Sequence, residues 1–251
     1  MYPTSFSGLT VLCLAVSTAV SALPLSDVET RQDTSCAAVH IFLAKGWNET
    51  YPGRQGKLAG AICYGLESCD YEDILFYNAP EADYCASITE GNNNGHAQMS
   101  EYASRCPDSQ LVLSGYSQGA NVAGDLLGGG GGSFGDQACT VDTTAGFDPT
   151  TSPGNKLAAV LLFGDNRHVA NQPYNILSGA PYSAANPRSA EQVQHMNLFA
   201  PIIHSYCVET DPVCAADSPV TADVETHLNY FDIYSDEAAG WVKWMLENPQ
   251  M

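Results

Sequence analysis

The chain has 251 residues, with nine Lys plus Arg against 28 Asp plus Glu, a formal net charge of −19. So few cations, none clustered, argue against nucleic-acid binding and against docking on an anionic membrane surface. Hydrophobic residues make up 45% of the chain and fall in periodic runs, which excludes disorder and leaves enough apolar surface for one substantial core. Charged residues are only 15%, so much of the surface must be uncharged polar, as suits an extracellular protein.

Leu9 to Val20 is apolar and ends in Val20-Ser21-Ala22, a small-residue cleavage pattern. At about a dozen residues it is too short to span a bilayer. Residues 1–22 therefore read as a secretory signal peptide, 23–35 as a short polar leader, and 36–251 as one domain. Beyond Cys13 in the signal, eight cysteines remain: Cys36, Cys63, Cys69, Cys85, Cys106, Cys139, Cys207 and Cys214. An even number in a secreted chain suggests four disulfides, and counting alone does not choose the pairing. The spacing lacks the paired Cys-x2-Cys set of a zinc site, and no cofactor or metal is expected.

Continuous apolar runs at Ala38–Ala44, Asp73–Tyr77, Gln110–Ser114, Leu157–Phe163 and Ile202–Tyr206 predict strands buried on both faces. Helical patterns fall between them, at 94–105 and 121–127. A final helix places Ala238, Trp241, Val242 and Met245 on one face, with Asp236 and Glu237 in its first turn. This alternation predicts an α/β fold with a mainly parallel central sheet covered on both faces. Gly128–Gly132 reads as a flexible surface loop. Residues 168–200 read as long loops, either near a binding face or as decoration.

Gly115-Tyr116-Ser117-Gln118-Gly119 is a G-x-S-x-G motif between an apolar strand and a helical run, the context that makes Ser117 a candidate nucleophile. The Gln118 N–H then points where an oxyanion would form. The serine needs a base and the base an orienting acid, in chain order Ser, acid, His. Of the later histidines, His204 lies in an apolar run and reads as a hydrogen-bonded core residue. His168 and His195 come too early, which leaves His227 as the base. Asp211 follows the last strand-like run and is the expected acid, with Glu209, Asp217 and Asp223 as competitors.

Taken together, Cys36 with His40–Ala44, Gly115–Ala120, Phe163-Gly164-Asp165, Tyr206–Cys214 and His227 resemble the fungal cutinase and acetylxylan esterase family. The resemblance implies a compact, cutinase-like α/β-hydrolase, a three-layer sandwich, with Ser117, Asp211 and His227 as the triad of a secreted, monomeric serine esterase. It also implies disulfides Cys36–Cys106 and Cys207–Cys214. Cys63–Cys69 then fits as a local loop, leaving Cys85 with Cys139. Where the family usually carries Ser or Thr in the loop after the first strand, this sequence reads Lys45-Gly46-Trp47-Asn48-Glu49. The Trp47 N–H can still join Gln118 in an oxyanion hole, without a hydroxyl. Asn48-Glu49-Thr50 is also a glycosylation sequon.

The expected substrate is a polymeric or small ester of plant cell wall or cuticle, cutin-type first and acetylated xylan second. A catalytically weak effector or binding protein on the same scaffold is the third reading, supported by the Trp47 departure. Peptidase or lipase activity on the same triad is the fourth.

Overall fold

The structure is a computed structural model that describes Met1 and residues 35–135 and 137–249. Apart from Met1 and Ser35, the segments expected to be signal peptide and leader lie outside the described residues. In chain order the elements are β1 (Val39–Ala44), α1 (Gly56–Cys63), β2 (Cys69–Asp73), α2 (Tyr84–Arg105), β3 (Gln110–Tyr116), α3 (Gln118–Gly128), β4 (Gly130–Phe134) and β5 (Cys139–Thr144). They continue with β6 (Leu157–Phe163), β7 (Asn175–Ile176), α4 (Ala190–Met196), β8 (Ile203–Tyr206), α5 (Val224–Leu228) and α6 (Tyr230–Glu247).

Six strands form one sheet in the order β2-β1-β3-β6-β8-β7, and every pairing is parallel. The inner strands β1 and β6 are buried along their whole length, because helices cover both faces. α1 packs on α6, while α2 and α4 both pack on α3. The chain runs outward from β1 to β2 and in the other direction from β3 onward. The strand order therefore reverses between β1 and β3, and a crevice opens beyond their C-terminal ends. Ser117 and Trp47 both follow those ends.

Several expectations are corrected. Gly128–Gly132 is not a loose loop: Gly130–Phe134 is a strand paired antiparallel with β5, and Gly128 to Gly131 are buried. The glycines serve close approach, since a Cβ on Gly128 would lie 2.6 Å from the Gln192 carbonyl and one on Gly131 2.8 Å from Thr143 Cα. The strand expected at 73–77 lies earlier, at Cys69–Asp73. Beyond Ile74 the backbone leaves the sheet because α2 side chains take over its hydrogen bonds. Leu75 N–H donates to Gln98 and Tyr77 N–H to Glu90, while Asn94 donates to the Leu75 carbonyl.

Both helices between strands are longer than their apolar patterns suggested. α2 begins at Tyr84 with Asp83 as its N-cap, and α3 runs from Gln118 to Gly128. The last helix begins at Tyr230, so Asp236 and Glu237 sit beyond its first turn. Residues 168–200 hold β7 and α4. They are pinned by Arg188, which donates to the Asp165 carboxylate and to the carbonyls of Ala120 and Asn121 on α3.

His204 stacks on Trp241, with ring centroids 3.7 Å apart, instead of hydrogen-bonding in the core. Burial pulls its pKa from 6.5 down to about 4. The fold keeps this ring neutral and the unfolded chain protonates it, so stability falls as pH drops from 6.5 towards 4. The thermal midpoint should decline over that window, and His204→Phe, which keeps the stacking, should flatten the decline.

Disulfides join Cys36 to Cys106, Cys63 to Cys69, Cys85 to Cys139 and Cys207 to Cys214. No helix among the described residues is long and apolar enough to cross a membrane.

Candidate active site

Ser117 sits between β3 and α3 with φ 54°, a left-handed turn that an L-residue holds only when its surroundings enforce it. The enforcement is visible. Ser117 N–H donates to the Phe163 carbonyl on β6, and its own carbonyl accepts from Ala120 and Asn121. A Cβ on Gly119 would lie 1.9 Å from the Ala44 carbonyl, and one on Gly115 2.5 Å from the Gly119 carbonyl. Both glycines of the motif are therefore needed for strand and helix to meet.

His227 Nε2 lies 3.0 Å from Ser117 Oγ, and His227 Nδ1 lies 2.9 Å from Asp211 Oδ2. Asp211 is fully buried. Its Oδ1 accepts from Val213 N–H at 2.7 Å and its Oδ2 from the Tyr230 hydroxyl at 2.8 Å. The Cys207–Cys214 disulfide closes the short loop that carries it.

Of the competing groups, Asp223, Asp217 and His168 have other partners. Asp223 caps α5 through Glu225 N–H, and Asp217 accepts from Ser183 N–H. Glu209 is half-buried, and its carboxylate has no partner among the described residues. His168 is buried against Ser205, and burial lowers its pKa. His195 is exposed on α4.

Trp47, Gln118 and Ser117 line one cleft of about 420 Å³, together with Tyr84, Asn166 and Val213. The loop bearing Trp47 is clamped on both sides. Asn48 N–H donates to the Asn78 carbonyl at 2.8 Å, Asn78 Nδ2 donates to the Gly46 carbonyl, and Gly46 N–H donates to Glu49. Among the described residues the N–H groups of Trp47 and Gln118 have no protein acceptor. Asn48 is exposed, with φ 56°.

The cutinase family profile matches residues 35–246. The chain belongs to the cutinase family. Among curated members of similar sequence, an acetylxylan esterase of Hypocrea jecorina is 26% identical over 239 residues, covering 88% of this chain and 72% of that protein. Cutinase 11 of Verticillium dahliae is also 26% identical, over 224 residues, with 85% and 70% covered. The catalytic core domain of acetyl xylan esterase from Trichoderma reesei superposes with a TM-score of 0.71 at 25% identity, covering 84% of this chain and all of that one. Membership in the cutinase family makes the chain an α/β-hydrolase of the esterase type.

The sequence reading missed Tyr230, Tyr116, Gly164 and Asn78 as supports of this site. Tyr116 stacks on the His227 ring and donates to the His227 carbonyl at 3.0 Å. Gly164, with φ 55°, leaves room for His227: a Cβ there would lie 2.7 Å from the imidazole. Tyr230 follows His227 by three residues, a helical spacing that could have flagged it. Burial and the Asp211 charge keep its phenol protonated, so it remains a donor.

Tyr230→Phe removes this donor and also the acceptor of Val208 N–H. Each buried group left unpaired costs about 1–3 kcal/mol. The variant should lose about ten-fold in kcat with KM unchanged, and melt several degrees lower. A kcat within two-fold of wild type would remove Tyr230 from the support of Asp211.

Proposed function

We propose that the chain is a secreted serine carboxylic-ester hydrolase acting through an acyl-enzyme, with the acetyl esters of xylan as its substrate class. The observation that carries this reading is the unbroken line from Ser117 Oγ through the His227 ring to Asp211, with spacings of 3.0 and 2.9 Å. His227 takes the Ser117 proton as the oxygen attacks the ester carbonyl, and the tetrahedral oxyanion is met by the N–H groups of Gln118 and Trp47. Protonated His227 gives that proton to the departing sugar oxygen as its bond to the acyl carbon breaks, so that it leaves as a hydroxyl. A water activated by the same ring then releases acetate, with Asp211 holding the tautomer throughout.

Residues 1–22 serve as signal peptide, 23–35 as leader and 36–251 as the hydrolase domain, and four disulfides suit the oxidising space outside the cell. The exposed Asn48 is the acceptor for an N-glycan at the rim of the cleft.

The acetyl reading replaces the cutin-type one in first place. It is supported by the similarity to acetylxylan esterases and by a small cleft with Tyr84 and Asn166 in its wall. The cutin-type reading keeps one observation in its favour, the exposed Val220 and Val224 on the segment leading to His227. Initial rates on p-nitrophenyl acetate, butyrate and palmitate, with acetate release from acetylated xylan alongside, separate the two. The acetyl reading requires acetate to be the best small ester and xylan to be deacetylated. Preference for butyrate or longer chains, with no acetate from xylan, would return the cutin-type reading to the front.

A further inference from the structure

Four large aromatic side chains stand exposed on the segments that follow β1 and on and after β2: Trp47 (54%), Tyr51 (41%), Tyr71 (41%) and Tyr77 (55%). Neighbouring exposed apolar groups on a soluble protein mark contact surfaces more often than scattered ones do. These four belong to adjoining elements. β2 is the edge strand and pairs with β1, placing Tyr71 opposite Ile41. The Tyr51 hydroxyl donates to the Tyr71 carbonyl at 2.9 Å, and the two rings lie 6.1 Å apart. Asn78, next to Tyr77, bonds the residues on either side of Trp47. Trp47 in turn shares the cleft with Ser117. The segments that carry these rings thus run from the sheet edge to the cleft of the nucleophile.

We propose that Trp47, Tyr51, Tyr71 and Tyr77 form a platform that binds a neutral polysaccharide chain and delivers its ester groups to the cleft. This rests on the esterase reading for the delivery, while the binding stands on the surface alone. The apolar C–H face of a pyranose ring stacks on an aromatic ring, as amphipathic aromatics allow. Tyr51 is held in place beforehand by its hydroxyl, so little freedom is lost there on binding.

The charges select the polymer. Asp70 and Glu72 flank Tyr71 along β2 but point to the other face of the strand, where Asp70 pairs with His40 Nδ1 and Glu72 lies 3.6 Å from His40 Nε2, so the Tyr71 face presents the ring itself. The nearby cations are already committed, Lys45 to Asp73 at 2.8 Å and Arg54 to Glu49. With these cations committed and a net charge of −19 on the chain, an anionic polymer would be repelled and a neutral one would not.

The test is native electrophoresis through gels with and without deacetylated xylan, which the esterase does not consume. Wild type, Tyr71→Ala/Tyr77→Ala and Tyr77→Phe are produced in one host so that any Asn48 glycan is the same. Xylan should retard wild type and Tyr77→Phe alike, and the double alanine variant should bind at least about five-fold more weakly. Both tyrosines are exposed, and an unchanged thermal midpoint shows that the variant is folded. Equal mobility of wild type with and without xylan, or equal retardation of the double variant, overturns the platform. So does loss of binding to polyester particles with xylan binding intact. Failure of the esterase reading looks different, as xylan retardation without acetate release from acetylated xylan.

Discussion

Ser117→Ala is expected to lose about a million-fold in kcat on any ester the chain hydrolyses, while KM stays nearly unchanged. Ser117 Oγ lies 3.0 Å from His227 Nε2, and nothing else in its turn can replace it. Its neighbours Gly115 and Gly119 carry no side chain, and Gln118 is buried with its side chain directed away from bulk water. The fold should survive, because the turn is held by backbone bonds from Ser117 N–H to Phe163 and from Ala120 and Asn121 to the Ser117 carbonyl. These do not involve the hydroxyl. Residual hydrolysis should remain above the rate in water, since the Gln118 and Trp47 donors still meet an oxyanion formed by direct water attack. Measured kcat on p-nitrophenyl acetate decides the matter. A variant that keeps more than one part in a hundred of the wild-type rate would move the nucleophile elsewhere, whereas wild type and variant equally inactive on every ester would revive the reading of an inactive scaffold.

The contrast between what the sequence reveals and what it hides follows from the range of the interactions. Strands β1, β3 and β6 are buried on both faces, so their apolar runs mark them directly. The Ser117 turn is equally local, because its two glycines and the flanking strand and helix lie within a few residues. Gly130–Phe134 is the opposite case. The run of five glycines, three of them in this strand, carries no periodicity, and the strand exists only because β5 lies alongside and Thr144 and Thr143 fill the space where side chains would be. The segment after Asp73 was misread for the same reason: Ile74 and Phe76 alternate like a strand, but Gln98 and Glu90 on α2 supply the partners a neighbouring strand would have given. Tyr230 and Asn78 support the site through two long-range hydrogen bonds each, which leave no pattern along the chain.

Trp47 was read as a weakness of the oxyanion hole, because its side chain has no hydroxyl to add. The structure shows a different investment at this position. Asn78 and Glu49 bond the backbone around Trp47 from both sides, fixing the direction of its N–H without help from the side chain. A preorganised backbone donor supplies about 3 kcal/mol to a transition state. The indole is thereby free to face solvent at the rim of the cleft.

Asp211→Asn is expected to lower kcat by about four orders of magnitude while leaving the fold nearly intact. The direction of the amide is dictated by its surroundings. Val213 N–H needs an acceptor at the Oδ1 position, so the amide oxygen goes there and the NH2 group faces His227 Nδ1. An NH2 group donates, so Nδ1 must accept, and the ring proton moves to Nε2. There it points at Ser117 Oγ, where a lone pair is required to take the serine proton. The base is present but in the wrong tautomer, and the loss appears in kcat and not in KM. Asp211→Glu tests the same point by geometry. Its carboxylate keeps the charge, but the extra methylene cannot be housed at a fully buried site between the Cys207–Cys214 loop and Tyr230 without displacing one of the three hydrogen bonds. A substitution by Asn that left kcat within ten-fold would assign the orientation of His227 to Tyr116, which stacks on the ring and holds its carbonyl, and not to Asp211.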